Sequence, residues 1–167
     1  MQTVQLHLRP ITDTDQAFLQ QLYATTRIDE LAAVPWDEAA KVAFLLQQFQ
    51  AQHSYYQAHY QDADFALICQ AEQPIGRLYL FRGPSTFNLI DISLLPPWRG
   101  LGIGSAYLRE ITREADAQGK SIRLFVEPEN PARRLYERFG FQQSGRRQLY
   151  LQMYRDAGAC TAAEARV

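Results

Sequence analysis

Between Arg99 and Gly104 the chain reads Arg-Gly-Leu-Gly-Ile-Gly, followed by Ser105. An apolar run ends just before this stretch and a helical pattern starts just after it. A strand, a glycine-rich turn and a helix in that order present unpaired backbone N–H groups and the positive end of a helix dipole, and glycines let an anion come close to the backbone. The chemistry on offer is phosphate binding. Spacing then separates the known kinds of phosphate loop. A Walker A loop requires Lys followed by Ser or Thr after its last glycine, whereas here Ser105 follows Gly104 directly. The dinucleotide pattern GxGxxG also fails, because its third glycine would fall on Ser105 when counted from Gly100 and on Tyr107 when counted from Gly102.

The elements that must position this turn follow from periodicity. Val4, Leu6 and Leu8 alternate with polar residues up to Pro10, which predicts a half-buried first strand. Thr12 or Asp13 caps a helix marked by Phe18, Leu19, Leu22 and Tyr23, whose pattern fades around Val34-Pro35. A second helix follows Asp37, with Val42, Leu45, Leu46, Phe49, Tyr56 and Tyr60 on a broad apolar to aromatic stripe. Phe65 to Cys69, a turn at Glu72-Gln-Pro74, and Ile75 to Phe81 predict a hairpin. After a turn at Gly83-Pro84, the run from Phe87 to Leu95 reads as a central strand buried on both faces, ended by Pro96-Pro97.

Beyond the glycine turn, Tyr107, Leu108, Ile111 and Ala115 mark a helix that Gly119 terminates. Ile122 to Val126 is a further strand. Asn130 reads as a cap with Pro131 at the first helical position, and Leu135, Tyr136 and Phe139 repeat helically up to Gly140. Phe141 onward, with Leu149 to Tyr154, reads as a closing hairpin, and Ala157 to Val167 as a frayed, aperiodic tail.

The spacing Arg99-x-x-Gly102-x-Gly104 resembles the coenzyme A loop of the GNAT superfamily of N-acetyltransferases, Gln/Arg-x-x-Gly-x-Gly/Ala. Leu94, Pro96 and Arg99-Gly100 sit as in the family's strand-to-loop segment. Asn130-Pro-Ala-Arg-Arg-Leu-Tyr136-Glu-Arg-Phe-Gly140-Phe141 is similar to its second signature. The order of elements matches as well, so the resemblance spans nearly all of residues 1–155. It implies an α/β (α+β) fold with a central mixed, mostly antiparallel twisted sheet of about seven strands flanked by about four helices. It also implies one acetyltransferase domain over 1–155, with 156–167 as tail, and the transfer of acetyl from acetyl-CoA to a primary amine of a small molecule, peptide or protein. No metal is implied.

Acetyl transfer from a thioester requires a neutral amine, a stabilised oxyanion and a proton for the departing thiolate. By the resemblance, the loop Arg99, Gly100, Leu101, Gly102, Ile103, Gly104 and Ser105 binds the coenzyme pyrophosphate. Backbone groups around Leu94 and Leu95 orient the pantetheine and thioester, and an N–H there polarises the carbonyl. Tyr136 matches the family's general-acid tyrosine. Asn130 is expected to hydrogen-bond the pantetheine amides, and Arg99, Arg133 or Arg134 to meet phosphate oxygens, Arg99 first because it matches the loop motif.

The base stays open between Asp91, Glu127 and a water chain to a more distant carboxylate. Burial in an apolar strand would make Asp91 a stronger base, whereas an ion-paired Asp91 would be structural; Glu127 follows the fifth strand near the expected cleft. Phe49, Tyr55, Tyr56 and Tyr60, with His53 and His59, line either the acceptor groove or the core. Trp36 is either a hydrophobic staple, the expected reading, or a cover for the acceptor.

Bulk properties exclude other classes. The 167 residues are 47% hydrophobic, ample for a packed core, and 17 Lys and Arg against 18 Asp and Glu give a net charge of -1. Without a basic field, nucleic acid is disfavoured as a partner. Cys69 and Cys160 lie far apart, which suggests neither zinc site nor disulfide and fits a cytoplasmic protein. Met1 to Pro10 reads as neither a signal-peptide core nor a transit sequence, and no apolar run approaches the length of a membrane span. The acceptor and the acyl chain length are not encoded in any motif, a homodimer stays open, and a non-catalytic acyl-coenzyme A sensing module would keep the same loop without the chemistry.

Overall fold

The computed structural model of the chain describes residues 5–159; Val4, Cys160 and the tail beyond it lie outside them. Among the described residues the elements run β1 (Leu6–Pro10), α1 (Gln16–Arg27), α2 (Glu38–His59), β2 (Asp64–Gln70), β3 (Gln73–Arg82), β4 (Thr86–Leu94), α3 (Ile103–Ala117), β5 (Ser121–Val126), α4 (Ala132–Arg138), β6 (Gln142–Arg147) and β7 (Tyr150–Arg155). The strands form one sheet in the order β1-β2-β3-β4-β5-β7-β6, so β4 is central as its apolar sequence predicts. β1 with β2, β5 with β7 and β6 with β7 are antiparallel, and β4 with β5 is parallel, which makes the sheet mixed. The chain divides into two compact units: one takes the chain up to Tyr79 together with Asp91–Arg99, the other Leu80–Ile90 and the chain from Gly100 onward.

In the first unit, Asp15 ties the end of β1 to the start of α1. Arg9 donates to both of its carboxylate oxygens, at 2.8 and 2.9 Å, and the Thr12 N–H donates at 2.7 Å across a 3-10 turn at Asp13–Asp15. Leu8 is 45% exposed on the edge strand, so it does not face the core as its alternation predicts.

Leu19, Leu22 and Tyr23 of α1 are buried, and Tyr23 packs on Phe49 of α2 with ring centroids 5.9 Å apart. Asp37 caps α2 by accepting from the Ala40 N–H at 2.7 Å. The stripe of α2 is narrower than its sequence predicts: Leu45 and Phe49 are buried, but Val42 is 62% and Leu46 38% exposed. Its inward-facing line continues after Phe49 with polar residues, Gln52 and His53. Trp36 packs edge-on against Phe44 at 5.4 Å, one turn further along than a staple partner would lie. The turn between β2 and β3 is at Ala71-Glu72, with Ala71 at φ 52°, so Pro74 lies inside β3 instead of in the turn.

In the second unit, Phe87, Asn88 and Leu89 of β4 are buried, and the parallel register runs from Thr86↔Ser121 to Leu89↔Leu124. Ile103, Tyr107, Leu108, Ile111, Thr112 and Ala115 form the buried face of α3, which ends before Gly119 at φ 67°. Leu149 is 83% exposed in the turn between β6 and β7, not in a strand. Arg155, at the end of β7, has no exposed side-chain surface: it donates to Phe139 O at 2.6 Å, to both oxygens of Asp116 and to Ala159 O at 2.8 Å. The Gly158 N–H also donates to Asp116, so residues 156–159, expected to fray, are held by hydrogen bonds.

The Arg9 hydrogen bonds, helped by the Thr12 N–H and opposed by burial, hold the Asp15 carboxyl at about 2 instead of the ordinary 3.8. A carboxylate lowered on folding stabilises the fold above its unfolded value and loses that contribution as pH falls towards its folded value. Asp15→Asn is therefore expected to cost about 1–2 kcal/mol near neutrality, the worth of a good capping side chain. In urea unfolding the gap from wild type closes between about pH 4 and about pH 2. A gap that stays constant over that range contradicts this role.

Candidate functional site

The two units each carry part of the residue set read from the sequence. In the first, β4 delivers Asp91, Ser93 and Leu94, then Leu95 and a 3-10 turn at Pro96–Trp98 that ends at Arg99. This half of β4 is partly exposed, not buried on both faces as predicted. The Leu95 N–H donates to Ile75 O of β3 at 2.8 Å. Alternation along an extended chain therefore points the Leu94 N–H to the other edge of β4. A Cβ at Gly76 of β3 would collide with the Ser93 carbonyl oxygen, so glycine is what allows β3 to lie this close to the end of β4. Arg99 folds back over the strand end: its Nε donates to Leu94 O at 2.8 Å and its Nη2 to Thr25 Oγ1 of α1 at 3.2 Å.

Asp91 is not alone in an apolar setting. Its side chain is 25% exposed, and its Oδ2 accepts from Arg77 Nε and, at 2.7 Å, from Ser93 Oγ. Arg77, only 4% exposed on β3, also donates through Nη2 to Gln52 Oε1 of α2 at 2.8 Å, and its guanidinium lies 4.5 Å over the Tyr79 ring. The ion pair expected of a structural Asp91 is thus present, but it engages only one of the two carboxylate oxygens. Burial, reinforced by Arg77, pushes the His53 imidazole below its ordinary 6.5, so it is neutral at pH 7. Burial likewise raises the Tyr79 phenol, whose hydroxyl has no hydrogen-bond partner among the described residues.

Sequence reading missed Arg77, Gln52 and Ser93. The available signal was a basic residue inside the apolar β3 sequence with an acidic one inside the neighbouring β4 sequence. The aromatic set of α2 divides: Phe49 is core and stacks on His53, while Tyr55, 42% exposed, stacks on His59 at 3.9 Å, and Tyr56 and Tyr60 are half-buried.

In the second unit, Gly100 and Gly102 take φ values of 73° and 83°, a region L side chains rarely adopt, and a Cβ on either would meet nothing within 4 Å. What the turn requires there is backbone freedom, not space. Helix α3 starts immediately at Ile103, and helix geometry leaves the N–H groups of Ile103, Gly104 and Ser105 without an intrahelical acceptor. Leu101 is 65% exposed on the turn. A Cβ on Gly104 would lie 3.4 Å from Leu135 Cδ2, so the first turn of α3 rests on α4.

On α4, Tyr136 is 7% exposed and packs on Phe141 at 5.8 Å. Asn130 is engaged at both ends of its amide: Oδ1 accepts from the Ala132 N–H at 2.9 Å and Nδ2 donates to Glu127 Oε2 at 3.2 Å. It caps the helix as its sequence predicts, although Pro131 falls just outside the helix. Arg133 donates from Nη1 to Pro128 O at 2.8 Å, while its buried Nε has no hydrogen-bond partner among the described residues. No group of three or more His, Cys, Asp or Glu that could hold a metal occurs among the described residues, and none of their helices is long and apolar enough to cross a membrane.

Comparison with solved structures identifies the architecture. The PaiA N-acetyltransferase of Thermoplasma acidophilum, solved in complex with coenzyme A, superposes with a TM-score of 0.67 at 17% identity, over 91% of this chain and 99% of that one. An acetyltransferase of Thermus thermophilus gives 0.66 at 17% identity, over 93% and 99%. The ribosomal-protein-S18-alanine N-acetyltransferase of Escherichia coli gives 0.60 at 16% identity, over 93% and 96%. At such identities these relatives share the fold. No curated protein matches the chain in sequence. The family model of the GNAT acetyltransferases matches residues 20–141, from α1 through α4. The chain belongs to the GNAT family of acetyltransferases.

Proposed function

We propose that this acetyltransferase moves the acetyl group of acetyl-CoA to a primary amine of a small molecule, peptide or protein. The observation that carries the reading is the turn at Gly100 and Gly102, whose positive φ values lead directly into α3, the first amides of which have no intrahelical acceptor by helix geometry. Oriented N–H groups at a helix start, with the helix dipole behind them, suit a pyrophosphate. The residues Gly100 to Ser105 fit that group because the space beside either left-handed glycine is open, a Cβ there meeting nothing within 4 Å. Arg99 and Arg133 supply guanidinium donors for phosphate oxygens, and Leu94, Leu95 and Asn130 the polar groups for the pantetheine arm. A cytoplasmic location fits Cys69, a free and buried thiol.

Acetyl-CoA supplies an activated thioester; the chain's residues supply position and protons. With the Leu95 N–H committed to Ile75, the Leu94 N–H is the donor we assign to the developing oxyanion. Of the two carboxylates weighed as base we take Asp91: its pairing with Arg77 and Ser93 engages only Oδ2, and its Oδ1 accepts no hydrogen bond from any described residue. Asp91 Oδ1 takes a proton from the acceptor ammonium, and the freed amine attacks the carbonyl carbon. As the C–S bond breaks, the Tyr136 hydroxyl gives its proton to the sulfur, and the proton that the attacking nitrogen then loses restores the phenol, leaving an amide and a free thiol.

The reading is tested by following free thiol release from acetyl-CoA with a diamine, an amino-acid ester and a peptide carrying a free N-terminal alanine. Release that depends on amine is expected; tight coenzyme A binding without turnover on any amine would favour the sensing module. Gly102→Val forces a β-branched residue into the left-handed region at a cost of about 1–2 kcal/mol. It is expected to raise the Kd for coenzyme A by about tenfold in calorimetry, and unchanged affinity contradicts the phosphate-loop reading. Tyr136→Phe is expected to lower kcat by about 10²-fold with coenzyme A affinity unchanged. Unaltered turnover across pH removes Tyr136 from the proton transfer.

A further inference from the structure

We propose that Arg77 is a positioning residue for acetyl transfer: together with Ser93 it fixes one oxygen of Asp91, so that the other oxygen faces the acceptor amine. The inference rests on the reading of Asp91 as the proton acceptor. Arg77 Nε and Ser93 Oγ both donate to Oδ2, from β3 and from two residues further along β4. Two donors on one oxygen fix the carboxylate's rotation about its Cβ–Cγ bond and leave Oδ1 open among the described residues.

Arg77 is itself held on three sides. Gln52 of α2 accepts from Nη2 at 2.8 Å, and the guanidinium lies over the Tyr79 ring. That ring is clamped edge-on by Phe65 at 4.8 Å and by Tyr56 at 6.1 Å. Nearby His53, kept neutral by burial, adds no second positive charge at pH 7.

Energetics argue against a purely structural purpose. Taking a guanidinium and a carboxylate out of water costs several kcal/mol per ion, and well-packed apolar residues commonly replace buried pairs without loss of stability. The Arg77–Asp91 pair also differs from the buried Arg155 clasp. Asp116 accepts from Arg155 on both oxygens and from Gly158 on one of them, whereas Asp91 keeps one oxygen open. A base that must meet a substrate nitrogen needs an open oxygen in a fixed direction, since misplacement by about 1 Å can cost about 10²-fold in rate.

The experiment uses the full chain, acetyl-CoA and the fastest amine of the panel above, with circular dichroism as a check on folding. Arg77→Met is expected to lower kcat by about 10²-fold while the KM for acetyl-CoA and the Kd for coenzyme A stay within about twofold. Arg77→Lys, which keeps one donor for Asp91, is expected to recover about tenfold of that loss. Ser93→Ala removes the second donor without burying a charge alone, and is expected to lower kcat about fivefold. In an Asp91→Asn background, Arg77→Lys should have no further effect on kcat, because both act through one group.

A folded Arg77→Met enzyme with wild-type kcat overturns the proposal. So does equal impairment in Arg77→Met and Arg77→Lys with Ser93→Ala silent, the pattern of a structural pair. Should Arg77→Met fail to fold, Ser93→Ala and the Asp91→Asn double variant decide the matter in the same way. Wild-type kcat in Asp91→Asn alone overturns the assignment of the base instead.

Discussion

A chain that leaves a strand and enters a helix a few residues later must bend sharply, and here it does so with two glycines at φ 73° and 83°. An L side chain at such a position costs about 1–2 kcal/mol, and two would consume a sizeable share of a domain's net stability. The bend fixes where α3 starts, and hence which amides have no intrahelical acceptor. It also sets Gly104 against Leu135, which seats the first turn of α3 on the helix that carries Tyr136. The oriented amides at the start of α3 and the seating of its first turn on α4 follow from the same two residues.

The molecule buries two arginines and uses them differently. Arg155 spends its donors on Phe139 O, Asp116 and Ala159 O, and so closes β7, α3 and the chain's continuation onto one another. Arg77 meets a carboxylate that is still a quarter exposed and bonded on one oxygen. The residue type is the same; the saturation of the partner separates a clasp from a device that aims a reactive group. Burial keeps His53 uncharged and Tyr79 protonated beside the second of these, so Arg77 supplies the positive charge that Asp91 meets from β3.

Local chemistry was legible in the sequence and long-range pairing was not. The glycine turn, α3 with its terminating Gly119, β5, and α4 capped by Asn130 all follow from residues within a few positions of one another. The centrality of β4 was readable from its apolar run, but not the exposure of its second half, which depends on what lies across from Ile90 to Leu94. Arg77 meets Asp91 across 14 residues and Gln52 across 25, and no periodicity reports such a meeting. The width of the α2 stripe failed for a related reason: Val42 has the right spacing to be core but stays exposed, and only tertiary packing decides that.

The central claim, that the start of α3 holds the coenzyme's phosphates, is tested most directly by amide hydrogen exchange at Ile103, Gly104 and Ser105. By helix geometry these three amides have no intrahelical acceptor in the free protein. Saturating coenzyme A is predicted to slow their exchange by at least about tenfold, with pantetheine, which lacks the pyrophosphate, having no such effect. Equal exchange with and without coenzyme A, under conditions where calorimetry shows it bound, would contradict the claim.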